Sequence, residues 1–198
     1  MAEEDMNILI TGDPSVFAIE SGMTKAYERL GFLALGYFMI HIGGKCYGVK
    51  EPDATLLAIV FDEALRIVRH RGLHVAPFSA EPNAAHLIES IYKAVFEEPD
   101  DELLFGLTNK ELISFVNSSR CCWHWFGDEA FDDGSVIYHF DIGDKVRLIA
   151  TSSDNPSVTD QWIDAEVFYR VVAHWWEAFE EAWKAADKIP EAEDGAIL

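Results

Sequence analysis

The chain has 198 residues, 49% of them hydrophobic and 13% aromatic, and 35 Asp and Glu against 15 Lys and Arg give it a net charge of −20. That much apolar material excludes global disorder and suffices for a sizeable core, while a field of this sign repels nucleic acid and anionic membrane surfaces and attracts basic partners. The acidic opening Met1-Ala2-Glu3-Glu4-Asp5 does not read as a secretory signal, no run approaches the roughly 20 apolar residues of a membrane span, and three cysteines, two of them adjacent, suit a reducing cytoplasm.

Taken in chain order, Asn7 to Gly12 and Val16 to Glu20 read as strands around an Asp13-Pro14-Ser15 turn, because Pro fixes its own φ and biases the residue before it away from helix. Leu33 to Ile42 is an apolar, aromatic strand, and Gly43-Gly44 folds it back onto Lys45 to Val49 as a hairpin. Leu56, Leu57, Val60, Phe61, Ala64, Leu65 and Val68 recur at helical spacing, with Asp53 as the expected N-cap and Gly72 past the end. A second helix is expected over Asn83 to Phe96. Thr108 and Glu111 have capping-box spacing for a third that runs through Val116.

Cys121 to Phe126 reads as an aromatic-rich strand. Val136 to Ile142 and Val146 to Ala150 form a second hairpin about Gly143-Asp144, and 165–187 carries a long apolar helical stripe that should pack on the sheet. The clearest strand pairs are hairpins, so the reading is an α+β fold: a mainly antiparallel sheet with three to four helices on one side, in a single domain over 1–198 with a frayed acidic tail at 190–198.

The run Gly12-Asp13-Pro14-Ser15-Val16-Phe17-Ala18-Ile19-Glu20, followed by Leu35-Gly36-Tyr37-Phe38-Met39-Ile40-His41-Ile42-Gly43-Gly44-Lys45-Cys46-Tyr47-Gly48, resembles the opening of immunity protein family 42, one of the bacterial polymorphic-toxin immunity families. The resemblance covers roughly the first quarter of the chain and rests on a turn, two strands and a hairpin. It implies a cytoplasmic protein that binds and neutralises a cognate toxin and is not itself an enzyme. It implies no set of functional residues.

Catalytic motifs give little competition. Gly43-Gly44-Lys45 lacks a phosphate loop's first glycine and its Ser or Thr, since Met39 and Cys46 stand there. The Asp128 to Gly134 segment places Phe131 and Phe140 where a calcium loop needs oxygen ligands. Cys121-Cys122-Trp123-His124 offers soft ligands, and Cys122 with His124 and a histidine such as His139 or His174 is the rival reading of a small metal protein or enzyme. Strand alternation sets Cys121 on the opposite face, and buried cysteines pack as small hydrophobes. No cofactor is expected.

Charge then points to a contact surface. Residues 97–198 hold 23 acidic and 7 basic side chains, a net of −16, against −4 for residues 1–96. The candidate partner-binding residues are Glu97, Glu98, Asp100, Asp101 and Glu102, with Asp128, Glu129, Asp132 and Asp133. If the toxin is a nuclease its substrate groove is basic, and an acidic face would imitate phosphate there. A third reading, an adaptor for a basic client, uses the helix around Trp176, Glu177, Glu180 and Glu181, with Trp176 as a binding hot spot.

Overall fold

The computed structural model describes residues 6–97, 103–123, 129–153 and 156–190. The first sheet contains β1 (Asn7–Asp13), β2 (Phe17–Tyr27), β3 (Ala34–Ile42) and β4 (Lys45–Tyr47) in sequential antiparallel order, with the short β5 (Thr55–Leu56) against β3. After it come α1 (Ala58–Arg69), α2 (Ala84–Phe96) and α3 (Asn109–Ser119). A second, three-stranded antiparallel sheet follows from β6 (Val136–Ile142), β7 (Lys145–Thr151) and β8 (Thr159–Asp164). The long α4 (Ala165–Ala185) leads to β9 (Lys188–Ile189), which joins the first sheet parallel to β2. The class is α+β. Among the described residues no helix is long and apolar enough to cross a membrane.

Both expected hairpins form where glycine permits them. Gly43 and Gly44 adopt φ of 59° and 79°, the paired positive values of a two-residue turn whose twist matches its strands. In mid-strand, a β-carbon at Gly36 would collide with the Gly22 carbonyl, so β2 and β3 approach there only because position 36 is glycine. Helix starts follow their caps: Asn83 accepts from the His86 amide, Asp164 accepts from the Glu166 amide, and Thr108 with Glu111 makes the reciprocal capping box.

Two apolar cores share the β6–β7 sheet between them. On one face, Ile137, Val146, Leu148 and Ala150 pack with Phe38, Ile40 and Ile42 of β3, Val60 and Ile67 of α1, and Phe168, Val172 and Trp175 of α4. On the other, Tyr138, Phe140 and Ile149 pack with Leu87 and Ile91 of α2 and Leu112 and Val116 of α3. Fully burying one such aliphatic or aromatic side chain contributes about 1.5–3 kcal/mol. Trp175 is fully buried, and its indole N–H finds Ser21 Oγ at 3.0 Å, which anchors α4 on β2.

Four sequence expectations change. Helices cover both faces of the second sheet rather than one side, because β6 and β7 bury residues of both parities. Asp53 does not cap α1; Leu57 is the N-cap residue without a side-chain bond, and Asp53 Oδ1 lies 3.1 Å from the Thr24 hydroxyl. The expected strand from Cys121 reduces, in its described part, to one bridge between Cys122 and Tyr138, with the His139 amide donating to Cys121 O and the Trp123 amide to Ile137 O. Trp176 stacks on Phe61 at 5.1 Å between α4 and α1 and is half-buried, so it serves helix packing rather than an open hot spot.

Candidate functional site

The acidic turn that follows Asp128 is built by its own side chains. Asp133 accepts from the Ser135 amide at 2.9 Å and the Ser135 hydroxyl at 2.6 Å, an Asx-type turn, and it also accepts from the Gly48 amide at 3.2 Å. The Val49 amide donates to Ala130 O at 2.9 Å. These bonds tie the 3-10 turn Glu129–Phe131 to the chain leaving β4. A second clasp comes from β2, where the Thr24 hydroxyl sits 3.0 Å from Pro52 O and 3.1 Å from Asp53 Oδ1.

The two clasped segments enclose a groove of about 540 Å³ lined by Val49, Glu51, Asp53, Ala54, Glu129, Asp132 and Asp133. Five of its seven lining residues are carboxylates. Glu51, Asp53, Glu129 and Asp132 are exposed, and Asp133 is half-buried at the base. Their work divides: Asp133 and Asp53 hold the walls, while Glu51, Glu129 and Asp132 present charge outward. An open groove of one sign focuses its field on an incoming cation, and carboxylates accept bidentate bonds from Arg.

This groove joins three of the candidate residues, Glu129, Asp132 and Asp133, to two that sequence reasoning missed, Glu51 and Asp53. The missed pair sits in Lys50-Glu51-Pro52-Asp53, too short a run to stand out; the signal lay in the Gly48 turn that folds it against the later loop. Glu97 is exposed at the C-cap of α2, a helix of the second core. Glu98, Asp100, Asp101, Glu102 and Asp128 lie outside the described residues. On α4, Glu180 pairs with Lys184 at 2.8 Å, and Glu177 and Glu181 are exposed.

The soft-ligand reading meets a different arrangement. Among the described residues no group of three or more His, Cys, Asp or Glu side chains is placed to hold a metal ion; His124 lies outside them. Cys122 packs in the second core with Tyr138, whereas His139 points to the opposite face, against Trp123 at 6.0 Å, Phe168 at 5.7 Å and His74 at 4.5 Å. The two side chains are therefore separated by the sheet.

His139 has a consequence for stability. Its ring is fully buried, neither nitrogen has a partner among the described residues, and burial, then the neighbouring His74 and Arg66, pushes its pKa well below the usual histidine value. The folded state thus keeps His139 neutral while the unfolded chain takes up a proton near pH 6.5. Stability is full above that pH and falls as pH drops below it, by up to about 1.4 kcal/mol per pH unit from this group. Urea unfolding between pH 7.5 and pH 5 is expected to show this loss, and His139→Phe to reduce the slope by that increment.

Comparison with known proteins agrees with the fold. No curated protein matches the chain. The crystal structure of CdiI from Burkholderia dolosa AUO158 is similar with a TM-score of 0.54 at 16% identity, covering 86% of this chain and 99% of that one, a likeness of fold. The family model for immunity protein 42 matches residues 9–178, which takes in both sheets through β8, α1 to α3 and most of α4, together with every wall of the acidic groove. By that match the chain belongs to the immunity protein 42 family.

Proposed function

We propose that this protein neutralises its cognate toxin by seating a basic segment of that toxin in the groove between Val49–Ala54 and Glu129–Asp133. The observation that carries the reading is the groove itself: two distant acidic segments joined by the Gly48–Asp133 and Val49–Ala130 bonds, the first also fixed to β2 by Thr24, with Glu51, Glu129 and Asp132 left to face outward. The toxin's Arg or Lys side chains exchange water for charge-assisted bonds to these carboxylates. The wider charge of −20 speeds the encounter.

A toxin with a basic substrate groove, as a nuclease has, loses access to its anionic substrate when the carboxylates occupy the phosphate positions. Inhibition is then stoichiometric occupancy. The protein catalyses nothing itself, needs no cofactor for this, and works in the cytoplasm, where such a toxin meets nucleic acid. Co-expression with the toxin domain encoded beside it tests the function: growth rescue with co-purification of the pair is expected, and continued killing without a complex would refute it.

A further inference from the structure

The face of the first sheet opposite Phe38, Ile40 and Ile42 carries a second constellation, unrelated to the groove's carboxylates. Register sets His41 directly opposite Cys46 across the β3–β4 hairpin, and places Glu20 of β2 on the same face one pleat along. Cys46 Sγ lies 3.2 Å from His41 Nδ1, and His41 Nε2 lies 2.9 Å from Glu20 Oε2. The other carboxylate oxygen of Glu20 takes the Tyr37 hydroxyl at 2.8 Å and Lys50 Nζ at 2.6 Å. Glu20 is 5% exposed and His41 9%, whereas Cys46 is exposed to solvent.

The order thiol, imidazole, carboxylate is that of an activated nucleophile with its base and an orienting acid. Burial pushes Glu20 up, but the bonds from Lys50, Tyr37 and His41 outweigh it and leave its pKa below the usual value. A carboxylate at Oε2 requires the proton of the ring on Nε2. The Nδ1 lone pair then faces the Cys46 thiol, which donates to it.

We propose that Cys46 is a reactive thiol, positioned by His41 and Glu20, that exchanges with low-molecular-weight disulfides. In the step, His41 Nδ1 takes the thiol proton as Cys46 Sγ attacks one sulfur of the disulfide. The new S–S bond forms on Cys46, the old S–S bond breaks, and the leaving thiolate receives the proton from the imidazolium as a free thiol. Attack at sulfur develops no oxyanion, so three side chains suffice. Burial and the Glu20 charge raise the Cys46 thiol, with Lys50 acting the other way, so the resting group is neutral and depends on His41 for deprotonation. A thiolate of higher pKa is also the stronger nucleophile once formed.

The protein supplies its own internal control. Cys121 and Cys122 are buried, and burial pushes Cys121 up to about 12. Dithiodipyridine added to the folded protein, followed by release of thiopyridone and by mass of the adduct, is expected to modify one thiol rapidly, on the peptide containing Cys46. At pH 7 its rate should exceed that of N-acetylcysteine, whose thiol has no base beside it. His41→Gln is expected to slow the reaction by about 100-fold, the low end for general-base assistance, and Glu20→Gln, which removes the charge that orients the ring, to slow it by a smaller factor. A wild-type Cys46 that reacts no faster than N-acetylcysteine at pH 7 overturns the proposal even if neither variant folds, as does first modification at Cys121 or Cys122.

Discussion

Replacing Arg147 by methionine is expected to lower the unfolding free energy by about 3–5 kcal/mol, the range for removing one member of a buried ion pair. Arg147 is 1% exposed on the second-core face of β7. Its Nε and Nη2 donate to the two oxygens of Asp160 on β8, each at 2.9 Å, and Nη1 donates to the carbonyls of Ser79 at 2.9 Å and Glu81 at 2.5 Å. One guanidinium thus closes two strands onto the connection between α1 and α2. Methionine matches the stem in volume but leaves a carboxylate and two carbonyls without their donor.

The double variant Arg147→Met with Asp160→Leu separates the two contributions. Removing both charges takes away the unpaired carboxylate, which is partly solvated at 30% exposure. The Ser79 and Glu81 carbonyls stay unsatisfied. Recovery of roughly half the loss is expected, about 1–3 kcal/mol remaining for the carbonyls, read from urea midpoints at unchanged slope. Full recovery in the double variant would show that only the ion pair matters.

The second large effect concerns binding. Glu51→Lys, Glu129→Lys and Asp132→Lys together turn the groove's outward charge from negative to positive and leave Asp53 and Asp133, which hold its walls, in place. Stability should change little, since exposed charges away from built contacts cost within about 0.5 kcal/mol each. Association with the toxin should slow by 10- to 1,000-fold at low salt, the span electrostatic steering covers. Glu89→Lys, Glu177→Lys and Glu181→Lys make the same change of net charge on exposed helical positions outside the groove, so this control isolates location from total charge.

What was legible in the sequence was local. The Gly43-Gly44 hairpin, the Thr108–Glu111 capping box and the apolar stripe of α4 each announce themselves within a few residues, and each is present. The family resemblance rested on the same kind of local signal, and the match over residues 9–178 extends it across the chain. Beyond nearest neighbours the reading failed for physical reasons. Strand β2 continues to Tyr27 through Ser21-Gly22-Met23-Thr24-Lys25, whose small and polar residues look like loop until Ser21 meets Trp175 and Thr24 meets Pro52 and Asp53. Arg147 in Val146-Arg147-Leu148 looks like the wet face of an amphipathic strand, but α2 and α3 cover that face and the charge is neutralised inside. The groove was half visible: Glu129, Asp132 and Asp133 stand in an obvious acidic run, whereas Glu51 and Asp53 become its second wall only through a bond between Gly48 and Asp133, 85 residues apart.

The groove's role is tested most directly by the association rate of the purified protein with its cognate toxin, measured from low to high salt for the wild type, the groove variant and the helical control. Expected are a fast wild-type rate that falls steeply with salt, a groove variant slowed by 10- to 1,000-fold at low salt and converging on the wild type at high salt, and a control close to wild type. A folded groove variant that associates as fast as the wild type at every salt concentration would contradict capture through Glu51, Glu129 and Asp132.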